Sequence, residues 1–207
     1  MKVALINGSP NKEGCTFTAL NEIAKTLQKE DIEADIFYLG KAPIAGCIAC
    51  GKCNKEGICT FDDHVNILLS KIQQYQGIII GSPVYYGGPG GQICSFMERF
   101  CYAGASKLKG KLGASVVSCR RGGATAAFDR LNKFFLMNNM HVVGSQYWNQ
   151  VHGTNPQEVK QDLEGLQTMR TLAENMAWLL KSIDYSKNNI DRPVHEEKIA
   201  TSFIRKI

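Results

Sequence analysis

Residues 2–29 read KVALINGSPNKEGCTFTALNEIAKTLQK, and this stretch decides the fold. Its first residues, Lys2–Ile6, are an apolar run that predicts a short strand. A turn of small and polar residues follows. Over Thr16–Lys29 apolar side chains then recur at helical spacing, at Leu20, Ile23, Ala24 and Leu27. A strand, a turn and a helix in this order indicate the first unit of an alternating α/β fold.

The same alternation continues along the chain. Further strands are predicted at Glu33–Tyr38, Gly77–Gly81, Leu112–Ser118 and His141–Gly144. Further helices are predicted after Asp62 or Asp63, at Gly91–Tyr102, at Ala124–Asn138 and from Asn155 onward. The run Ile78-Ile79-Ile80 is typical of a central parallel strand that is covered on both faces. The pattern predicts an α/β three-layer sandwich, with a five-stranded parallel sheet of order 2-1-3-4-5 and helices on both faces.

The length of 207 residues fits one domain over residues 1–182, with a cysteine-rich insert at 39–61 and a polar tail at 183–207. The tail is expected either to be disordered or to dock on a neighbouring subunit. Asn155 is expected to cap one long helix at the end of the domain. The apolar stripe of that helix runs through Val159, Leu163, Leu166, Ala173, Met176 and Leu180.

Composition argues against several classes of function. The formal net charge is +5, and the basic residues Lys107, Lys109 and Lys111 are interpreted as a solvated loop, because no nucleic-acid-binding motif accompanies them. No run approaches the roughly 18 apolar residues of a membrane span, and the apolar N-terminal run is too short for a secretory signal. The sequence therefore predicts a cytoplasmic protein that binds neither nucleic acid nor membrane.

The predicted ligand site lies where the strand order reverses, beyond the carboxyl ends of the first, third and fourth strands. We name the segments there the first loop (residues 7–16), the third loop (residues 81–91) and the fourth loop (residues 118–125). The first loop leads into a helix N-terminus, and side-chain donors are offered by Ser9, Asn11, Thr16 and Thr18. It lacks the glycine spacing of a dinucleotide fingerprint and the ending of a nucleotide P-loop, which favours a monophosphate ligand. An ordinary turn with a helix cap is the alternative.

The third and fourth loops have equally unusual compositions. The third contains two prolines, five glycines and the pair Tyr85-Tyr86, which offers flat surfaces for an aromatic ring at a strand end. The alternative is a glycine-rich connection whose tyrosines merely pack. The fourth loop carries Arg120 and Arg121, which are expected to reach a phosphate or the polar edge of a ring, or else to be ordinary surface charges.

Gly8-Ser9-Pro10 with Gly14-Cys15-Thr16, followed by Gly81-Ser82-Pro83-Val84-Tyr85, resembles the NADPH-dependent FMN reductase and iron–sulfur flavoprotein family of the flavodoxin superfamily. The resemblance covers roughly residues 1–182 and implies a flavodoxin-like fold that binds FMN. It implies that the FMN phosphate is held by Ser9, Asn11, Cys15, Thr16, Phe17 and Thr18. Cys15 stands where many relatives have asparagine, so its contact is expected from the backbone. The flavin ring is expected against Pro83, Val84, Tyr85, Tyr86 and Gly87. The remaining candidates for cofactor binding are Ser118, Arg120, Arg121 and Gly122.

The implied function is the transfer of a hydride or electrons through the flavin N5, from NAD(P)H to a quinone, nitro compound, free flavin or protein acceptor. Candidates for a substrate platform over the ring are Tyr85, Tyr86, Trp148 and His152; His152 is alternatively a structural loop histidine. A second interpretation is a non-catalytic electron-transfer flavoprotein that relays electrons from a ferredoxin-type partner. A third, a thiol or zinc module without flavin, leaves the first and third loops unexplained. Relatives tend to form a homodimer or homotetramer, and the resemblance implies the same for this chain.

Four of the eight cysteines cluster in the insert, at Cys47, Cys50, Cys53 and Cys59. Thiolates at this spacing suit a compact iron–sulfur cluster, and the arrangement is similar to the motif of iron–sulfur flavoproteins, which implies a [4Fe–4S] cluster. Plain thiols or a disulfide, and a zinc site, stay open as alternatives. Because the insert follows the second strand, one strand away from the crevice, a cluster there is expected to reach the flavin of another subunit.

Overall fold

The computed structural model describes residues 1–197, 199 and 201. Within these residues the strands are β1 Lys2–Asn7, β2 Glu33–Tyr38, β3 Gly77–Tyr85, β4 Gly88–Pro89, β5 Leu112–Cys119, β6 His141–Val142 and β7 Gln150–His152. The helices are α1 Cys15–Lys29, α2 Lys52–Glu56, α3 His64–Lys71, α4 Gly91–Leu108, α5 Ala124–Met137, α6 Pro156–Val159 and α7 Leu163–Ser186, with a 3₁₀ turn at Ile72–Gln74 after α3. None of the helices in this part of the chain is long and apolar enough to span a membrane.

The strand order is β2-β1-β3-β5-β6, and neighbours along this path are parallel. The predicted order and α/β class are confirmed, but the described sheet has seven strands rather than five. β3 continues to Tyr85 and pairs with β4 as an antiparallel hairpin, and the fifth position is shared by β6 and β7, which both pair with β5. Between β6 and β7 the side-chain amide of Asn149 donates to the carbonyl of Ser115 at 3.1 Å, so a side chain replaces the backbone ladder there.

Alternate side chains of the central strand build a core on each face of the sheet. Ile78 and Ile80 belong to the core formed with α3, α4 and α5, whereas Ile79 belongs to the core formed with α1 and α7. All three are fully buried, and each such side chain stabilises the fold by about 1.5–3 kcal/mol. The helices therefore cover both faces, and the carboxyl ends of β1, β3 and β5 are left at one edge.

The prediction of one long helix starting at Asn155 is wrong. Asn155 caps only α6, and α7 begins at Leu163, where Asp162 accepts a hydrogen bond from Gly165 N–H at 2.9 Å. The same carboxylate accepts from His152 N–H at 2.7 Å, so a tertiary hydrogen bond fixes the break between the two helices. Leu163, which the stripe places in the core, is therefore 74% exposed.

The C-terminal segment follows α7, which continues to Ser186. His195 Nε2 lies 3.5 Å from Asn139 Nδ2, so this part of the tail contacts its own chain. Tail residues 198, 200 and 202–207 lie outside the described residues. Docking of the tail on a neighbouring subunit stays a prediction.

Candidate functional site

The loops that follow β1, β3 and β5 meet at one edge of the sheet. Gly8 N–H donates to the carbonyl of Gly81 at 2.9 Å, which joins the first loop to the third. The hydroxyl oxygens of Thr16 and Ser118 lie 2.8 Å apart, which joins the first loop to the fourth. The segments that the sequence proposes as one site are therefore neighbours in the fold.

The third and fourth loops approach as closely as glycine permits. Gly123 has φ of +92°. A Cβ atom on this residue would lie 2.7 Å from Gly87 Cα and 3.0 Å from Val84 Cγ1. Both the backbone conformation and the available space therefore require glycine here. We call the region where the three loops meet the strand-end crevice.

Helices that begin in these loops lack capping side chains. α1, α4 and α5 start after Gly14, Gly90 and Gly123, and none of the three is capped by a side chain. The short α2 in the insert also lacks a cap. In contrast, α3, α6 and α7 each begin with an aspartate or asparagine that accepts a backbone hydrogen bond. Free N–H groups and the positive end of a helix dipole bind anions, so the strand-end crevice suits a phosphate.

Side chains of the first loop mainly shape the loop. The hydroxyl oxygen of buried Ser9 accepts from Asn11 N–H at 3.1 Å, which leaves its hydrogen for a ligand. Thr18 donates both its amide, at 3.0 Å, and its hydroxyl, at 3.1 Å, to the Gly14 carbonyl. The hydroxyl reaches the preceding helical turn, and a contact between Thr18 and a phosphate stays a prediction.

Cys15 presents its backbone rather than its side chain to the crevice. Its Sγ donates to the carbonyl of Gly153 at 3.6 Å. Burial raises the pKa of this thiol, so it stays neutral. A contact between Cys15 and an anion must therefore come from the amide at the start of α1, as the sequence interpretation expects.

A two-residue turn at the end of the third loop presents a tyrosine to solvent. Tyr86 and Gly87 connect β3 to β4, with φ of +50° and +74°. Two positive φ values are typical of a type I′ turn, which favours asparagine and glycine. For a bulky residue this conformation costs about 1–3 kcal/mol, and the fully exposed ring of Tyr86 has no packing to offset it. Backbone strain of this kind clusters at functional sites, so Tyr86 stays a candidate for contact with the flavin ring.

Two exposed arginines stand on the fourth loop. Arg120 and Arg121 are exposed, and no ion pair among the described residues involves either of them. Below them the buried Cys119 Sγ lies 3.4 Å from His152 Nδ1, which links the end of β5 to β7. Burial raises the pKa of the Cys119 thiol. The positive charge of the arginines is therefore free to attract an anionic ligand.

All four cysteines of the insert line one cavity of about 220 Å³, which we call the cysteine cavity. Two are exposed, two are half-buried and all are free thiols: Cys47, Cys50, Cys53 and Cys59. Ala49 and Gly51, on either side of Cys50, have φ of +53° and +71°, so the chain turns sharply there. No group of three ligand side chains in the described part of the chain is arranged as a metal site. The fold thus gathers the four thiols around one space.

Arg99 of α4 forms the buried wall of the cysteine cavity, with 1% of its side chain exposed. Nε donates to Cys59 Sγ at 3.2 Å, while Nη1 and Nη2 donate to the two carboxylate oxygens of Asp63 at 2.7 and 2.8 Å. Nη1 also donates to the carbonyl of Ala45 at 3.1 Å, and the guanidinium lies over the ring of Phe61. Burial alone lowers the pKa of Arg99, but the bonds to Asp63 and Cys59 outweigh it, so the pKa is raised and the group is charged.

Comparison with known proteins decides the family. Residues 1–155 match the family model described as NADPH-dependent FMN reductase. The chain belongs to this family. Over 191 residues it is 35% identical to an iron–sulfur flavoprotein of Methanocaldococcus jannaschii, covering 88% of this chain and 99% of that protein. It is also 26% identical to an iron–sulfur flavoprotein of Methanosarcina thermophila, covering 91% of this chain and 100% of the relative.

A solved flavodoxin from the domain Archaea is similar in fold, with a TM-score of 0.60 over 87% of this chain and 99% of that one. Its sequence identity is 15%, so this likeness shows the fold alone. The flavodoxin-like fold and the family expected from the first and third loops are confirmed. The member of the FMN reductase family described here is accordingly an FMN-binding flavoprotein with a redox function.

The four platform candidates lie on two segments of the chain in this FMN reductase family member. Tyr85 and Tyr86 lie on the hairpin of the third loop. Trp148 and His152 instead line a separate depression of about 190 Å³ beside the start of α7, with Tyr147 packed against Trp148 at 4.6 Å between ring centroids. The cause is that residues 143–149 leave the sheet between β6 and β7. His152 adjoins the fourth loop, because it pairs with Cys119 between β5 and β7 and its Nδ1 contacts the Cys119 thiol.

The sequence did not identify Arg99 as part of the cysteine cavity, and it did not identify Asp63 as the ion-pair partner of Arg99. Arg99 lies between Phe96 and Phe100 on the buried face of α4, and a charge inside an apolar helical face was the available signal. Asp63 is predicted only as a helix cap, and it does accept from Val65 N–H at 3.0 Å. Its pairing with Arg99 depends on the tertiary fold, because the two residues lie 36 positions apart.

Proposed function

We propose that this protein is an NAD(P)H-dependent FMN oxidoreductase that reduces a quinone, nitro compound, free flavin or protein acceptor. FMN, when bound, supplies the transfer of a hydride or of single electrons at its N5 atom. The observation that supports the proposal is the convergence of three uncapped helices and the strained, exposed Tyr86 at the strand-end crevice. An anion site and an aromatic surface side by side match the two ends of a flavin mononucleotide.

In this proposal the first loop binds the phosphate. The amides at the start of α1, from Cys15, Thr16 and Phe17, donate to the phosphate oxygens, and the helix dipole favours the negative charge. Ser9 adds its hydroxyl hydrogen and Asn11 its exposed amide. These donors hold one end of the cofactor and so fix where its ring lies.

The third and fourth loops orient the flavin ring. Residues 83–87 supply the hairpin against which the ring lies, and the contact between Gly123 and Gly87 keeps the two loops together. Ser118 and Gly122 border the ring from the fourth loop. Arg120 and Arg121 attract the polar edge of the ring or the phosphate of the nicotinamide substrate.

Tyr85 and Tyr86 offer the platform for a second ring. Stacking the nicotinamide or the acceptor against the flavin places the reacting atoms close together, which accounts for much of the rate of such a transfer. No side chain has to act as an acid or base in hydride transfer. Trp148 and His152, which lie in the separate depression, are suited to binding the remote part of a larger substrate.

A second candidate function is electron relay through a [4Fe–4S] cluster held by Cys47, Cys50, Cys53 and Cys59. It is favoured by the shared cysteine cavity, because the four thiols that line it equal in number and kind the ligands of such a cluster. The insert is also tied to the start of α4, where Gln92 Nε2 donates to the Ala42 carbonyl at 2.9 Å. A ferredoxin-type partner would supply the electrons, and a homodimer or homotetramer would bring the cluster of one subunit to the flavin of another.

The test is anaerobic purification followed by a visible spectrum with FMN and iron quantified. We expect about one FMN per chain and, if the cluster is present, about four iron atoms. Cys59→Ser should lose iron and keep FMN, whereas Cys94→Ser, outside the insert, should keep both. Protein that is colourless and cannot be reconstituted with FMN would overturn the proposal.

Steady-state assays then separate the two functions. NAD(P)H oxidation that depends on an added quinone or nitro acceptor supports the oxidoreductase. Rapid reduction by a ferredoxin, without NAD(P)H turnover, supports the relay. Bound FMN without iron would leave the oxidoreductase and eliminate the cluster.

A further inference from the structure

We propose that Arg99 is a positioning residue that raises the reduction potential of the cluster in the cysteine cavity, by donating from Nε to Cys59 Sγ and by placing a buried positive charge beside it. This inference rests on the proposed iron–sulfur cluster. It concerns a residue of α4, outside the cysteine motif itself.

The first part of the argument is the hydrogen bond to sulfur. Arg99 Nε lies 3.2 Å from Cys59 Sγ, and a thiolate that ligates iron keeps lone pairs that accept such a bond. Hydrogen bonds to the sulfurs and the net charge around a cluster are among the factors that set its potential. One-electron reduction adds one negative charge, without forming or breaking a bond and without moving a proton at Arg99. A fixed donor with a positive charge therefore stabilises the reduced form.

The second part is the placement of the charge. The Arg99 side chain is 1% exposed, so water and salt screen it far less than a surface charge. Asp63 partly neutralises it through the bonds at 2.7 and 2.8 Å, and this carboxylate is 27% exposed. The arginine rather than the carboxylate touches the sulfur. Removal of Arg99 and removal of the Asp63 charge should therefore shift the potential in opposite directions.

The third part is mechanical. The same guanidinium binds the carbonyl of Ala45, which precedes Cys47, and the carboxylate of Asp63, which follows Cys59. It thus fixes both ends of the cysteine segment to α4. A loss of iron on mutation would follow from this scaffold role alone, so the decisive measurement is the potential.

The experiment is an anaerobic redox titration of the holoprotein with dithionite and mediators, which supply the electron, followed by cluster absorbance and electron paramagnetic resonance. We expect Arg99→Gln to lower the midpoint potential of the cluster. Asp63→Asn should raise it, and asparagine caps a helix as well as aspartate does, so α3 is retained. Arg99→Lys, which keeps the charge but loses the planar fork, should give a smaller decrease. Arg130→Gln removes an equal but partly exposed charge from α5 and is the matched control.

Opposite shifts of the midpoint potential for Arg99→Gln and Asp63→Asn, each larger than that of Arg130→Gln, support the inference. A general destabilisation of the fold by either substitution would not make the two potentials move in opposite directions. Shifts in the same direction, or shifts no larger than the control, overturn it. If Arg99→Gln does not fold, the comparison is made between Asp63→Asn, which should raise the midpoint potential, and Arg99→Lys, which should lower it. Wild-type protein that binds FMN but never iron would refute the cluster and this inference together. Variants that hold the cluster at the wild-type midpoint potential would refute only the role of Arg99.

Discussion

Replacing Tyr86 by asparagine should make the fold more stable and its function weaker. The residue has φ of +50° in a type I′ turn, where asparagine before glycine is preferred, and its fully exposed ring buries no area that the substitution would lose. Relief of the left-handed strain should therefore raise the free energy of unfolding by about 1 kcal/mol. In a chain of this length that gain corresponds to an increase of roughly 2–4 °C in Tm.

The loss of function follows from the loss of the ring. An aromatic pair contributes about 0.5–1.5 kcal/mol, so removal of the ring should weaken FMN or acceptor binding by up to about tenfold. Urea denaturation of FMN-free protein gives the stability, and flavin fluorescence together with the KM for the acceptor gives the binding. Tyr86→Ala is the control, since alanine also lacks the ring but gains little from the left-handed turn. A decrease in stability for Tyr86→Asn, or unchanged FMN and acceptor binding, would refute the reasoning.

Three further predictions concern single side chains. Gly123→Ala places a methyl group 2.7 Å from Gly87 Cα at φ of +92°, so it should weaken FMN binding and lower the unfolding free energy by about 1–3 kcal/mol, measured by fluorescence and urea denaturation. Gly144→Ala, whose new methyl group meets nothing within 4 Å, should change neither. Burial raises the pKa of the Cys101 thiol to about 12 from its ordinary 9.0, so stability is full below pH 9 and should fall by up to about 1.4 kcal/mol per pH unit above it. Cys101→Ala should reduce this dependence in denaturation curves recorded across that range, and the thiols of Cys15, Cys94 and Cys119, whose pKa values burial also raises, should keep part of it. Asp162→Ala removes the cap of α7 and should cost about 1–2 kcal/mol, whereas Asp162→Asn should retain most of the stability in the same assay.

The fold was predictable where local pattern and burial agree. Residues 78–80 form an apolar run that predicts a central strand, and the structure buries them completely. The split of the last strand position was not predictable, because it depends on the Asn149 side chain reaching Ser115, 34 residues away. Leu163 fits the helical period yet lies exposed, because the tertiary bond between Asp162 and the end of β7 restarts the helix.

The candidate site was predictable in its loops and less so in its individual side chains. Strand order brings the three loops together, and the family match supports FMN as the cofactor. Thr18 satisfies the composition of a phosphate loop, but its donors bond to the preceding turn. Trp148 lines the depression beside the start of α7, because the chain leaves the sheet before β7.

By itself the sequence determined the alternation of strands and helices, the three loops at the carboxyl ends of the strands and the four-cysteine motif, because each is written in residues close together in the chain. Only the tertiary structure decided which charge faces the cysteines. Arg99 lies 40 positions from Cys59 and 36 from Asp63. The residues next to a buried arginine in the sequence do not show which distant groups compensate its charge.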